Sequence, residues 1–251
     1  MRALILAAGQ GTRLRPLTND RPKCMVELAG KPLLRHQVDA MRHEGIDDIH
    51  VVGGYLVDRL DAADLTVHVN PDYATTNMVY TMFNARDVFD GTQDVIICYG
   101  DIVFRPAVLR ALLACDGALC LTADRDWLKY WSARMDDPLS DAETFRMDAD
   151  GNVVELGNRP DGLDTVQAQY MGLFKVSADR AAAFLAAWDT MQSAIDASAE
   201  TVNNIYMTAF IQGLIDAGWT VPAVLVNNGW MEVDAASDLE LVDAGFWSPL
   251  S

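Results

Sequence analysis

Long apolar runs, positive charge and paired cysteines are all scarce in this chain, and each scarcity excludes something. No apolar stretch approaches the roughly 18 residues of a membrane helix, so no membrane insertion is expected. Lys and Arg number 19 against 36 Asp and Glu, a net charge of −17. That balance speaks against a nucleic-acid surface. Cys24, Cys98, Cys115 and Cys120 include no C-x-x-C pair. They are expected to be reduced thiols rather than zinc ligands or a disulfide framework. No charged leader precedes the first apolar run, so a cytoplasmic location is expected. Internal repeats and linkers rich in Gly, Ser or Pro are missing too. What remains is 251 residues, 51% of them apolar, which fits one domain over 1–251.

The cations that are present are unevenly placed. Residues 1–42 hold eight Lys/Arg and three acids, while residues 43–251 hold eleven and thirty-three. The basic end surrounds the most informative stretch. A buried-strand pattern at Ala3–Ala8 runs into a loop with Gly9 and Gly11. Small residues admit close approach of a ligand to the backbone, whose amides can ring an anion. Arg13 and Lys23 add full charges beside that loop, a combination suited to a triphosphate. The loop is not a P-loop, and it lacks the third glycine of the dinucleotide fingerprint.

The remaining pattern alternates strands and helices. Strands are predicted at 3–8, 48–54, 65–69, 94–101 and 118–123, and helices at 32–42, 78–89 and 105–115. This rhythm predicts an α/β fold, a Rossmann-like, mostly parallel sheet with helices on both faces. Residues 124–176 break the rhythm. They hold a hairpin turning at Asp150-Gly151 and a strand at 170–177, and are expected to form a small antiparallel cover over the acceptor side. Helices at 178–188 and 202–217, one strand over 221–234 and a helix at 235–243 complete the chain. Ligands of such sheets sit beyond the carboxyl ends of the strands, where Gly9, Gly53 and Asp101 are predicted to meet.

Asp101 follows an apolar strand and a glycine, five residues before the next helix, which is early for a helix cap. A carboxylate beside phosphates suits a bridging Mg²⁺. Asp234 ends Trp230-Met-Glu232-Val-Asp234, whose alternate side chains share one sheet face. It either caps the last helix or is a second Mg²⁺ ligand. Trp127, Tyr130 and Trp131 lie within one helical turn. With Tyr73, Tyr80 and Trp230 they either pack the core or form a cage for a cationic group.

The string Leu6-Ala7-Ala8-Gly9-x-Gly11-Thr12-Arg13-Leu14-x-Pro16-Leu17-Thr18-x-x-x-Pro22-Lys23 closely resembles the signature of the nucleotidyltransferases that activate sugar phosphates and phosphocholine. Val52-Gly-Gly-Tyr55, Tyr73-x-x-x-Asn77-x-x-Tyr80, Gly100-Asp101 and Gly229-Trp-x-Glu-x-Asp234 follow in the family's order. The segment 70–80 is most similar to bacterial phosphocholine and phosphonate cytidylyltransferases. The sugar enzymes usually carry Glu-Lys-Pro in the cover, where this chain has Gly157-Asn158-Arg159-Pro160.

The resemblance implies a GT-A-like fold and Mg²⁺-dependent transfer of CMP from CTP to a small phosphate or phosphonate acceptor, in a chain that forms a homodimer in many relatives. It implies Lys23 and Arg13 as catalytic residues and Asp101 and Asp234 as metal ligands. Nucleotide contacts are expected from Leu6, Ala7, Ala8, Gly9, Gly11, Thr12, Arg13, Lys23, Gly53, Tyr73, Asn77 and Gly100. Acceptor contacts are expected from Tyr80, Trp127, Tyr130, Trp131, Tyr170, Trp230 and Glu232. Two alternatives stand beside it: a sugar-1-phosphate nucleotidyltransferase and a nucleotide-sensing module without turnover.

Overall fold

The computed structural model describes residues 1–194 and 203–241. In chain order the elements begin with β1 (Arg2–Ala7), a small hairpin of β2 (Glu27–Leu28) and β3 (Lys31–Pro32), and α1 (Leu33–His43). Next come β4 (Asp48–Gly53), β5 (Thr66–Val69), α2 (Met78–Phe83), β6 (Val95–Tyr99), β7 (Ile102–Phe104), α3 (Pro106–Leu113) and β8 (Leu119–Asp124). The second half holds α4 (Trp127–Arg134), β9 (Phe145–Met147), β10 (Val153–Leu156), β11 (Gln169–Val176) and α5 (Ala181–Ala194). It closes with α6 (Met207–Asp216), β12 (Ala223–Val226), β13 (Trp230–Glu232) and α7 (Ala236–Glu240).

Seven strands form one sheet in the order β12-β8-β11-β6-β1-β4-β5. All pairings are parallel except those of β11, which runs antiparallel to β6 and β8. The mostly parallel α/β sheet is therefore the one read from the sequence. Its strands are apolar on both faces because both faces are covered. Ala3, Ile5 and Ala7 of β1 join a core with Leu34, Val38 and Met41 of α1 and Leu109 and Leu112 of α3. Leu4 and Leu6 point the other way, into a core with Val79 and Met82 of α2, Phe184 of α5 and Phe210 of α6. Phe83 stacks on Trp188 there, with ring centroids 5.1 Å apart.

Several expectations need correcting. The strand expected over 221–234 is two strands, because Asn228 and Gly229 take positive φ (55° and 85°) and break the run. β12 extends the main sheet, whereas β13 pairs antiparallel with β7. The strand near 170–177 is not part of a cover but sits inside the main sheet, leaving β9–β10 as the antiparallel hairpin beside it. The helix expected at 78–89 closes at Phe83, followed by a short 3-10 turn over Arg86–Val88. Cys115 and Cys120, expected as free thiols, are joined in a disulfide across the α3–β8 turn; Cys24 and Cys98 are free and buried. Position 202 of the helix predicted at 202–217, and positions 242–243 of the last one, lie outside the described residues.

Candidate active site

Three parallel strands deliver their carboxyl ends to one edge, and the first loops there are shaped by close packing. Gly100 donates its N–H to Leu6 O (2.8 Å), and a Cβ on Gly100 would lie 2.7 Å from that oxygen and 3.0 Å from Ala7 Cα. Only glycine lets β6 pass so near β1. Gly54 is equally tight, its would-be Cβ 2.6 Å from Tyr73 and 2.9 Å from Ala8 O. Gly9, by contrast, has nothing within 4 Å of a would-be Cβ, so the mouth of the loop is open to a ligand. The rest of the loop is pinned: Thr18 donates to Gly11 O (2.9 Å) and Tyr55 to Thr18 O (3.1 Å).

Lys23 sits on a one-turn 3-10 helix after the extended Pro22. Its ammonium lies between two carboxylates, 2.7 Å from Asp101 and 2.5 Å from Asp234. The pairing of β13 with β7 explains how positions 133 apart in sequence converge. Glu232 is opposite Ile102, and Val233 donates to Asp101 O at 2.9 Å, which carries Asp234 to the end of β6. Arg13, largely exposed, reaches the same Asp234 oxygen at 3.0 Å.

Burial disfavours a charged Lys23, but Asp101 and Asp234 outweigh it and hold the ammonium above the ordinary lysine range. Burial also pushes Asp234 up, yet Lys23 wins and its carboxyl is lowered. Glu232 goes the other way: burial, with Asp234 and Asp101 nearby, lifts it well above the usual carboxylate range despite its bond to Arg134.

A second cluster braces the first. Asp238, buried on α7, accepts from the backbone N–H groups of Asp234 (2.7 Å) and Ala235 (2.8 Å) and from Arg134 Nε (3.0 Å). Arg134 spans Asp238, Glu232 and Asp234. Its guanidinium lies 5.3 Å from the Tyr130 ring centre and 5.1 Å from that of Trp131. Those rings therefore hold one of the protein's own cations. Trp127, Tyr130, Trp131 and Trp230 are all buried. Trp127 donates to Val166 O, Tyr130 to Glu232 O, and Trp230 to Asp124.

The other sequence-derived positions fall as follows. Leu6, Ala7 and Ala8 line the end of β1 as buried residues, and Thr12 is exposed on the loop. A Cβ on Gly53 would meet Val57 (2.6 Å) and Leu60 (2.9 Å). Asn77 caps α2, accepting from Met78 N–H (2.8 Å). Tyr80 donates to Asp72 (3.0 Å), and Tyr73 packs edge-on against Tyr55.

Beside Asp234 a cavity of about 190 Å³ opens between the sheet edge, α4 and α6. Trp131, Tyr170, Glu232 and Asp234 line it, and so do Asp141, Glu143 and Gln169, which the sequence reading missed. Burial raises the carboxyls of Asp141 and Glu143. The available signal was an acid at 143 two residues ahead of the wholly buried Phe145, a polar group at the start of a core strand.

A glycine loop at a strand end, a lysine between two carboxylates and an adjoining pocket define a phosphate-handling site. Residues 3–152 match the model of the MobA-like NTP transferase domain, and the chain belongs to that nucleotidyltransferase family. It is 40% identical over 250 residues to a CTP:phosphoglutamine cytidylyltransferase of Campylobacter jejuni, covering 96% of this chain and 98% of the relative. It is 37% identical over 133 residues to a CMP-5'-(3-aminopropyl)phosphonate synthase of Streptomyces rubellomurinus, covering 50% of this chain but 21% of that one. The fold is shared with the solved CTP:phosphocholine cytidylyltransferase of Streptococcus pneumoniae: TM-score 0.71, 20% identity, 98% of this chain and 99% of the other. Among the described residues no helix is long and apolar enough to cross a membrane.

Proposed function

We propose that the protein transfers CMP from CTP to a small acceptor bearing a phosphate or phosphonate, releasing pyrophosphate. The observation that carries this reading is the convergence of Lys23, Asp101 and Asp234 at the strand ends beside the open Gly9 loop. Full-length similarity to a phosphoglutamine enzyme supports a phosphorylated acceptor carrying nitrogen. The triphosphate would lie along residues 9–13, with backbone amides and Arg13 facing the departing pyrophosphate. Lys23 would neutralise charge that grows on the α-phosphate, in a reaction governed by positioning and electrostatics. An ionised acceptor oxygen attacks without a general base, which suits a site where no histidine stands.

Asp101 and Asp234 fit Mg²⁺. Both offer hard oxygens within 2.7 Å of one ammonium nitrogen, so one small cation could meet both. No cluster of three metal-binding side chains exists among the described residues, so phosphate and water oxygens would complete the shell. Bound there, Mg²⁺ would neutralise phosphate charge and polarise the P–O bonds. Pyrophosphate release with CTP, UTP, dTTP and GTP against phosphoglutamine, phosphocholine, aminoalkyl phosphonates and sugar 1-phosphates tests the reading. CTP with a non-sugar acceptor should give the highest kcat/KM, and EDTA should abolish it. Faster turnover of a sugar 1-phosphate would overturn the acceptor assignment, and nucleotide binding without any product would favour a sensor.

A further inference from the structure

The cavity beside Asp234 gathers three acceptor-bearing side chains, Asp141, Glu143 and Gln169, among the hydroxyls of Tyr99, Tyr170, Tyr206 and Thr208. Asp141 and Glu143 form no ion pair with any basic side chain among the described residues. Glu143 accepts one long contact, from Thr208 at 3.5 Å. Gln169 is only 6% exposed, yet its Oε1 has no hydrogen-bond partner. Buried acceptors left unpaired are costly, so native sites keep them for a ligand, water or strain. Trp131 Nε1 is also buried, unpartnered and on the same wall, a donor for an oxygen of the same molecule.

We propose that this cavity is an ammonium subsite, in which Glu143 and Gln169, with Asp141 at the rim, receive an N–H-bearing protonated amine of the acceptor and set its specificity. The inference rests on the CMP-transfer reading above and names the chemistry of its acceptor. It separates two cations that charge alone does not. A quaternary ammonium is held by aromatic faces, of which Arg134 already covers those of Tyr130 and Trp131, leaving the rings of Tyr99, Tyr170 and Tyr206 on the lining. It also carries no N–H, and would leave Gln169 Oε1 and Glu143 desolvated and unpaired. A primary ammonium supplies three donors to those oxygens.

The test compares kcat/KM for CMP transfer across two matched sets: 2-aminoethyl phosphate against phosphocholine and ethyl phosphate, and phosphoglutamine against its des-amino analogue. The wild type should prefer the primary ammonium by tenfold or more within each set. Glu143→Gln should erase that preference through KM at nearly constant kcat, leaving ethyl phosphate and the KM for CTP within threefold. Gln169→Met should act in the same direction, and provides the reading should the first variant fold poorly. Equal loss on charged and neutral acceptors, or a wild type that favours phosphocholine, would overturn the subsite while CMP transfer stands. No transfer to any acceptor would overturn the CMP-transfer reading, and the subsite with it.

Discussion

The two halves of the site are built by different means. The side proposed for the nucleotide is shaped mainly by backbone. Gly54 and Gly100 admit neighbouring chain within 3 Å, and the loop of residues 9–23 is pinned by main-chain and hydroxyl contacts to Thr18 and Tyr55. The side proposed for the acceptor is made of side chains drawn from α4, the segment before β9, the start of β11 and α6. Backbone construction leaves little to vary without rebuilding the sheet. Side-chain construction lets the acceptor change by a few substitutions while the chemistry is kept. Asp234, shared between the two, is anchored to both by Lys23 on one side and Asp238 on the other.

If the nucleotide side carries the chemistry, Lys23 gives the largest loss. Lys23→Ala should lower kcat by at least about a hundredfold, the range seen when one charge-stabilising group is removed, roughly 2.7–4 kcal/mol. Pyrophosphate release under saturating CTP measures it, and activity within tenfold of wild type would put the chemistry elsewhere.

Asp238 tests whether the two sides are one unit. Asp238→Ala leaves Arg134 short of a partner in a buried setting, where its side chain is only 3% exposed. Breaking such a pair typically costs about 3 kcal/mol or more. Chemical unfolding should show that loss, and turnover should fall with it because two N–H groups around Asp234 lose their acceptor. A variant stable to within about 0.5 kcal/mol of wild type would mean that the braces act independently.

Gly100→Ala probes the backbone-built side alone. Its Cβ would press on Leu6 O and Ala7 Cα, neither of which can rotate away. A cost of about 2 kcal/mol is expected from overpacking, with a raised KM for CTP and little change in acceptor preference. A variant that altered acceptor choice instead would erase the distinction between the halves.

That distinction also governs what the sequence made legible. The β-α alternation, the loop at residues 9–23 and the placing of Asp101 at a strand end are local patterns, visible because strand period and turn residues are local. Asp234 meets Asp101 through the β7–β13 pairing. The sequence hid that pairing because 221–234 is expected as one strand running through Asn227, Asn228 and Gly229, and only the family resemblance joined the two acids. The pocket was the least legible part. β11 runs antiparallel, so its first residues, Gln169 and Tyr170, stand at the edge where its neighbours end. The strand expected over 170–177 takes in Tyr170 but stops short of Gln169, and its assignment to an antiparallel cover hides that it lies inside the main sheet. The aromatic trio at 127–131 was found by spacing, yet spacing could not reveal that Arg134, one turn on, already lies over two of its rings.

The smallest expected effect lies outside the site and calibrates the rest. Asp64 bonds Arg35 (2.8 Å) and Arg42 (2.7 Å), tying α1 to the loop before β5. Hydrogen bonds from Arg35 first, then Arg42, hold its carboxyl well below the usual range. The group is 40% exposed, so solvent screens the pair and Asp64→Asn should cost only about 0.5 kcal/mol at pH 7. A lowered folded-state pKa gives stability that is present above the unfolded value, near about 4, and lost as pH falls through the folded one. The gap in Tm between wild type and variant should therefore narrow below about pH 4, and also in about 1 M salt, where the screening length is about 3 Å. Turnover should stay unchanged throughout. A gap that survived salt, or a fall in kcat, would show that this ion pair is coupled to the site after all, and that the line between scaffold and chemistry has been drawn in the wrong place.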